Sequence, residues 1–141
     1  MNLIQEFKSA IENSVKKANS DILYLSGGVD SATILAACLN LGMSPKCFTF
    51  QLGEYKSPDV IRASEMCRYF SLEHHVVKIP QTEDSLVRDI RKMISSGCPT
   101  KKTHLQCLQP FLYLNDSVLT RFGPSRVMIG MAADDLRGSG R

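Results

Sequence analysis

Residues 26–31 combine two glycines, two serines and an aspartate in the order Ser-Gly-Gly-Val-Asp-Ser. Glycines allow the backbone to approach an anion closely, and a helix that begins here would direct its first N–H groups and the positive end of its dipole toward that anion. Ser26 and Ser31 add hydroxyl donors. The segment therefore predicts a phosphate- or pyrophosphate-binding loop. Because Asp30 would repel a bare phosphate, its presence favours a Mg²⁺ ion between the two.

Short apolar segments alternate with amphipathic ones along the chain, and these elements must position the loop. The pattern predicts strands at 22–25, 47–50, 75–79 and 126–129 and helices at 3–18, 31–41, 58–70, 82–95 and 105–121. This alternation indicates an α/β fold with three layers (α/β/α) and a parallel sheet of about four to five strands. Ligands of such sheets bind at the carboxyl ends of the strands. Two unusual segments, 26–31 and 130–135, follow strand ends.

Length and composition predict one globular domain over residues 1–141. The chain is 43% hydrophobic and 22% charged, with a formal net charge of +3. The composition argues against disorder, and the net charge falls well short of that of a dedicated nucleic-acid-binding domain. No segment reaches the ~18 apolar residues of a membrane span, and the N-terminus lacks the apolar region of a signal peptide. The five cysteines are scattered without a CxxC pair, so we expect a cytoplasmic protein with free thiols.

The sequence SGGVDS directly after an apolar strand resembles the pyrophosphate loop, SGGxDS, of the N-type ATP pyrophosphatases (the PP-loop superfamily), and all six positions match. The resemblance implies an adenine nucleotide alpha hydrolase-like, HUP-type fold. It also implies that ATP is cleaved between its α- and β-phosphates, that a substrate becomes an adenylate, and that a nucleophile displaces AMP. Hydrogen-bond donors and a metal ion suit the charge that develops on the departing pyrophosphate.

The same resemblance assigns ATP and Mg²⁺ to this site and gives roles to particular residues. It implies that Asp30 and Ser31 take part in catalysis and that Asp30 and Asp134 hold Mg²⁺. Backbone groups at residues 25 and 48–50 are expected to hold adenine and ribose. The residues expected to contact ATP or pyrophosphate are Leu25, Ser26, Gly27, Gly28, Asp30, Ser31, Phe48, Thr49, Phe50 and Gly130.

The rest of the chain is similar to the synthetase domain of asparagine synthetases. Asp59 at the start of a helix and Glu73-His74-His75 at the third strand match their layout, and residues 129–136 match their second acidic loop, close to SGEGxDE. The similarity spans about residues 21–138. It implies an ATP-dependent ligase that adenylates a carboxylate or carbonyl and transfers an amine to it.

The second acidic loop and both ends of the chain depart from this pattern. Met131 and Ala132 stand where the family has Glu and Gly. That Glu acts on the substrate side, so its replacement argues against ordinary asparagine formation. Residue 2 is Asn rather than the cysteine of a glutaminase, so the amine is expected from solution or from a protein partner. Relatives continue far beyond the second loop, and a partner or a second copy of the chain would complete the site.

Several other residues are expected to have structural roles. Alternation along the third strand directs His74 and His75 to opposite faces of the sheet, and neither has metal-ligand spacing to another histidine or a cysteine. Lys101 and Lys102 could reach a phosphate from a loop, but a solvated basic turn is the simpler interpretation. The aromatic side chains at 48 and 50 are expected to pack in the core.

Two other functions stay open on sequence grounds. A tRNA-modifying ligase of the thiolation type would use Cys98 or Cys107 as a sulfur carrier and a basic face for RNA, although CxxC pairs are absent and the net charge is small. A non-catalytic nucleotide-binding module would fit Met131, whereas Asp30 favours an enzyme. The leading interpretation expects a small-molecule acceptor. It disfavours nucleic acid as a partner and expects no membrane association.

Overall fold

Helices and strands alternate along residues 2–97 and 101–130, which are the residues that the computed structural model describes. Their order is α1 (Leu3–Ala18), β1 (Ile22–Tyr24), α2 (Val29–Asn40), β2 (Lys46–Leu52), α3 (Pro58–Tyr69), β3 (His74–Ile79), α4 (Glu83–Ser95), α5 (Lys102–Phe122) and β4 (Met128–Ile129). The predicted alternation is therefore confirmed.

The strands form one parallel sheet in the order β3-β2-β1-β4. The chain runs outward from β1 through β2 to β3 and then returns to the other side of β1 as β4. The strand order therefore reverses at β1, and the segments that follow β1 and β4 meet at the carboxyl edge of the sheet. Such a switch point is where open parallel sheets bind ligands.

Apolar side chains on the two faces of the sheet form two cores. Leu23, Leu25 and Cys47 are buried against helices α1, α2 and α3 on one face. Tyr24 and Phe48 are buried against α5 on the other. Because successive residues of a strand point to opposite faces, these short segments supply both cores, and the result is the predicted three-layer α/β/α arrangement.

Polar side chains define where most of the helices begin. Asn2, Ser57 and Thr82 accept hydrogen bonds from the first turns of α1, α3 and α4, respectively. Such caps satisfy amide groups that have no acceptor within the helix. Helix α2 differs, because its N-cap is Gly28, which has no side chain to accept such a hydrogen bond. The first turn of α2 is therefore left without a side-chain cap at the switch point.

Among the element boundaries that differ from the sequence prediction, three lie beside the cavity or the segments expected to border it. Helix α2 begins at Val29 instead of residue 31, because Gly28 acts as the N-cap, so Asp30 lies in the first helical turn. Helix α5 begins at Lys102 and continues through Pro110, which makes the predicted loop around Lys101 a helix N-terminus. Strand β4 has two residues instead of the predicted four, because only these pair with β1.

The helices also bear on the question of membrane association. Within residues 2–97 and 101–130, none of them has both the length and the apolar character that a membrane crossing requires. The cytoplasmic location and the single domain over residues 1–141 stay predictions.

Candidate nucleotide-binding site

A cavity of about 370 Å³ opens at the carboxyl edge of the sheet, beside the switch point. It is bordered by the loop after β1, the middle of β2, the end of β4 and one side of α5. The predicted ATP-contact residues that line it are Leu25, Ser26, Gly28, Asp30, Ser31, Phe48, Thr49, Phe50 and Gly130. Gly27 is buried in the same loop. Asp134, Met131 and Ala132 lie outside the described residues.

A closed set of hydrogen bonds holds the loop after β1. Ser31 Oγ accepts from the amide of Ser26 at 3.1 Å, donates to the carbonyl oxygen of Gly28 at 3.2 Å, and lies 3.0 Å from Ser26 Oγ. Since the Ser31 proton is directed to Gly28, Ser26 is the donor between the two hydroxyls. Ser26 Oγ in turn accepts from the amide of Gly28 at 3.3 Å. The two serines therefore set the curvature of the loop.

The first turn of α2 borders the cavity with its backbone amides. The helix hydrogen bonds begin with the Ala32 amide, which donates to the carbonyl oxygen of Gly28 at 3.1 Å. The amides of Val29 and Ser31 precede it and so have no acceptor within the helix. Together with the positive end of the helix dipole, they make this position favourable for an anion.

Two glycines allow backbone segments to meet around this loop. Gly27 has a φ of 78°, and a Cβ atom there would overlap the carbonyl oxygen of Asp59 at the start of α3. A Cβ atom at Gly130 would lie 2.8 Å from the amide nitrogen of Ser31. Both positions therefore require glycine, and the loop lies between the N-terminus of α3 and the end of β4.

The side chains beside the loop suit a magnesium ion that is bound together with a nucleotide. Asp30 lines the cavity along with the hydroxyl-bearing Ser26 and Ser31, and these are the hard oxygen donors that Mg²⁺ prefers. Within the described ranges, no group of three or more His, Cys, Asp and Glu side chains could hold a metal. Mg²⁺ usually takes one or two carboxylates and completes its coordination with phosphates and water, so a single carboxylate such as Asp30 would suit it only together with a nucleotide.

Hydrogen bonds join the strands that border the cavity. Thr49 Oγ1 donates to the carbonyl oxygen of Leu25 at 2.7 Å and accepts from His74 Nε2 at 2.8 Å. The amide of Leu25 donates to the carbonyl oxygen of Phe48 at 2.9 Å. Burial, and then the charge of His75, hold the pKa of His74 below its usual range. His74 therefore supports Thr49 as a neutral imidazole with its proton on Nε2.

Aromatic side chains form an apolar wall of the cavity. The ring of Tyr24 lies 6.4 Å from that of Phe48 and 5.9 Å from that of Phe111, between centroids. The Tyr24 hydroxyl donates to Asn115 Oδ1 at 2.6 Å, and burial raises the pKa of Tyr24 to about 12. Phe48 is fully buried and Phe50 partly so, which confirms the expectation that these side chains pack in the core. An apolar wall of this kind can accept a purine base.

Two further predicted groups lie in positions that give them no contact with the cavity. His75 Nε2 lies 2.7 Å from Glu73 Oε1, and its ring stacks on Phe48 with centroids 4.6 Å apart. Lys101 and Lys102 are exposed at the N-terminus of α5 and do not line the cavity. These positions agree with the structural and solvated roles expected for them.

Helix α5 supplies a wall that the sequence does not predict. Gln106, Cys107, Pro110, Phe111 and Leu114 all line the cavity. The available signal is a proline inside an amphipathic segment. Because proline has no N–H group, the carbonyl of Gln106 lacks its usual helix partner, and such local departures often mark functional surfaces. Cys107, one of the two candidate sulfur carriers, is exposed on this wall, whereas Cys98 lies outside the described residues.

The chain has a three-layer α/β/α fold, and its parallel sheet has the loop Ser-Gly-Gly-Val-Asp-Ser at the switch point. This combination identifies the PP-loop fold, the class of the ATP pyrophosphatases. The chain belongs to the asparagine synthase family, whose model matches residues 3–136. This family uses ATP, and ATP binding at this edge of the sheet agrees with the position of the loop.

Relatives within the superfamily have several activities. A 7-cyano-7-deazaguanine synthase of Desulfotalea psychrophila is 33% identical over 60 residues, which cover 42% of this chain and 27% of that protein. The glutamine-dependent NAD+ synthetase of Acinetobacter baumannii (TM-score 0.54, 21% identity) matches over 81% of this chain and 22% of that one. The NMN synthetase of Francisella tularensis (TM-score 0.58, 16% identity) matches over 89% and 52%. The chain therefore has the predicted HUP-type fold and spans 22% to 52% of the length of these proteins.

Proposed function

We propose that the chain binds ATP with Mg²⁺ in the cavity at the sheet edge and cleaves it to AMP and pyrophosphate. An oxygen of a carboxylate or carbonyl acceptor would attack the α-phosphorus, pyrophosphate would leave, and an amine would then displace AMP. The observation that carries this proposal is that segments distant in the sequence meet at one cavity. The loop 26–31, residues 48–50 of β2 and Gly130 border one cavity at the N-terminus of α2.

The groups of the chain divide naturally among the parts of the nucleotide. The amides of Val29 and Ser31 and the dipole of α2 suit the pyrophosphate, while the aromatic wall and residues 48–50 suit adenine and ribose. Asp30 would hold Mg²⁺, with Asp134 as the proposed second carboxylate. When bound, the ion lowers the negative charge on the leaving pyrophosphate. The Ser31 hydroxyl would keep the loop in the shape that presents its amides.

The acceptor and the source of the amine are the further parts of the proposal. Membership of the asparagine synthase family supports a small carboxylic acid as the acceptor. Met131 in place of the family's Glu argues for an acid other than aspartate. Ammonia would come from solution or from a partner protein, and a partner or a second copy of the chain would cover the acceptor side.

Product analysis with α-labelled ATP tests the proposal. The protein is incubated with Mg²⁺, ammonium and a panel of carboxylic acids that includes aspartate, and AMP and pyrophosphate are quantified. We expect equal amounts of the two with a matching acid. Asp30→Asn should lower the rate by about a hundredfold or more, whereas Asp116→Asn, an exposed carboxylate on α5, should leave it unchanged. Formation of ADP, or ATP binding with no AMP from any acceptor, would contradict the proposed reaction, and the latter favours a binding module.

The position of Cys107 supports a second candidate, a ligase that adenylates a tRNA base for sulfur transfer. The thiol is exposed on the wall of the same cavity as the loop; a persulfide formed on it by a separate sulfane-sulfur donor could attack an adenylated base and displace AMP, and an external thiol would then reduce the resulting disulfide to release the thiolated base. The formal charge of +3 gives RNA little electrostatic attraction. AMP formation that requires tRNA, falls steeply with salt and yields thiolated product only with an intact Cys107 would favour this candidate over the first.

A further inference from the structure

Arg62, on the first turns of α3, contacts the pyrophosphate loop directly. Its Nε donates to the carbonyl oxygen of Gly27 at 3.2 Å, and its Nη2 forms an ion pair with the carboxylate of Asp59. The backbone of Asp59 also packs on Gly27, at the position that a Cβ atom would occupy. The N-terminus of α3 therefore meets the loop through one backbone contact and one hydrogen bond.

The hydrogen bond from Arg62 to the Gly27 carbonyl fixes the orientation of the whole Gly27–Gly28 peptide. The carbonyl of Gly27 and the amide of Gly28 belong to one planar trans peptide, so they point in opposite directions. With the carbonyl held toward Arg62, the amide of Gly28 is directed into the loop, where it donates to Ser26 Oγ at 3.3 Å. Two adjacent glycines impose little restraint on this peptide themselves, so its orientation depends on the hydrogen bonds at its two ends, from Arg62 to the Gly27 carbonyl and from the Gly28 amide to Ser26 Oγ.

We propose that Arg62 is a positioning residue that fixes the Gly27–Gly28 peptide and so preorganises the loop for the phosphates of ATP. The proposal rests on the proposed function, because it takes the loop as the phosphate site. Asp59 orients the guanidinium. An exposed ion pair between residues three apart on a helix contributes little stability by itself. The functional contact is therefore the hydrogen bond to Gly27, which joins α3 to a loop 35 residues away in the sequence.

Binding measurements with ATP, pyrophosphate and AMP test this role. Arg62→Ala should weaken the binding of Mg²⁺-ATP and Mg²⁺-pyrophosphate by about tenfold, the effect of one lost charge-assisted hydrogen bond. It should leave AMP affinity unchanged, because AMP has no β- or γ-phosphate. Arg62→Lys should restore part of the loss, since lysine can donate to Gly27 but cannot also hold Asp59 with a planar fork. Arg68→Ala, exposed in the last turn of α3, is the matched control.

Amide hydrogen exchange at Gly28 in the nucleotide-free protein is the second measurement. We expect faster exchange in Arg62→Ala than in the wild type or in Arg68→Ala, while all three proteins still unfold cooperatively. Unchanged exchange, or equal weakening of AMP and ATP binding, would overturn the role of Arg62. A wild type that binds neither nucleotide would refute the proposed function, while the exchange at Gly28 would still decide whether Arg62 orients the loop.

Discussion

Gly130 packs on Ser31 so closely that a Cβ atom at residue 130 would lie 2.8 Å from the amide nitrogen of Ser31. Strand β4 pairs with β1 over only two residues, so this contact is a main connection between the end of β4 and the first turn of α2. The amide of Ser31 is also one of the groups proposed to hold pyrophosphate. The amide nitrogen of Ser31 therefore both contacts the end of β4 and belongs to the proposed phosphate site.

Replacement of Gly130 by alanine should weaken ATP binding. The added methyl group meets backbone atoms that cannot rotate away, so either β4 or the first turn of α2 must move, at a cost of about 1–3 kcal/mol. We expect ATP affinity to fall by about tenfold or more. Gly97→Ala is the control, because Gly97 has a positive φ with no neighbour within 4 Å. That variant should lose stability through backbone strain and keep its ATP affinity. Equal affinity in Gly130→Ala, measured by calorimetry, would contradict the prediction.

The sheet side of the site could be predicted from the sequence because its signals are local. An apolar strand followed by SGGVDS defines both the loop and its place at a strand end, and Thr82 and Ser57 mark helix starts through their own side chains. Boundaries that depend on glycine were less predictable. Gly28 gives no side-chain signal of a cap, so the start of α2 was predicted two residues late.

The helix side of the site depends on long-range packing and could not be predicted in the same way. Helix α5 covers the cavity through packing on β2, β3 and α4, and the hydrogen bond from Arg62 to Gly27 joins segments 35 residues apart. Helix α1 makes the same point. Leu3, Phe7 and Val15 repeat at helical spacing, but Val15 is buried (4% exposed) whereas Leu3 (77%) and Phe7 (55%) are not.

The free energy of unfolding should fall as the pH is lowered below the ordinary pKa of His74. Burial and the neighbouring His75 lower the pKa of His74 from 6.5 in the folded protein. Below pH 6.5 the unfolded chain therefore binds a proton that the folded protein does not, and the free energy of unfolding falls as the pH falls toward the folded pKa. Above 6.5 both states hold a neutral imidazole and this contribution is fully present.

Replacement of His74 by glutamine should flatten this pH dependence, since the amide can still donate to Thr49 Oγ1 and does not titrate. Urea unfolding at about pH 7.5 and about pH 5.5 provides the measurement. His104→Gln, an exposed histidine on α5, should keep the wild-type slope. A His74→Gln protein with the wild-type slope would assign the pH dependence to other groups.

The hydrogen bonds that join Asp89 on α4 to Gln109 and Tyr113 on α5 should depend on the ionised form of the Asp89 carboxyl group. This carboxylate is 4% exposed and accepts hydrogen bonds from Tyr113 Oη at 2.7 Å and Gln109 Nε2 at 3.0 Å. Burial alone would raise the pKa of Asp89, but these donors, with Arg88, hold it below its ordinary value of 3.8. The resulting stability is present above pH 3.8 and is lost as the pH falls through the folded pKa.

Tyr113→Phe should therefore reduce the free energy of unfolding by about 1 kcal/mol at neutral pH. Because protonation of Asp89 removes much of what the hydroxyl contributes, the difference from the wild type should shrink as the pH falls below 3.8. Tyr55→Phe, at an exposed position, should match the wild type throughout. Urea unfolding at neutral and acidic pH measures both effects. A difference that stays constant with pH would mean that Tyr113 does not act through the carboxylate.

Alkylation of Cys107 should report occupancy of the cavity. Cys38, Cys47 and Cys67 are buried and Cys107 is exposed on the cavity wall, so with Cys98 changed to serine, iodoacetamide should modify Cys107 alone until denaturant is added. ATP or AMP at about ten times its Kd leaves about a tenth of the sites empty and should slow the reaction about tenfold. Pyrophosphate should not, because the proposed arrangement places adenosine, and not the pyrophosphate, beside α5. The control Thr103→Cys, at an exposed position on α5, should give a thiol that reacts at the same rate with and without nucleotide. Equal protection at both positions would indicate a general change in the helix, and no protection at Cys107 would remove α5 from the nucleotide site.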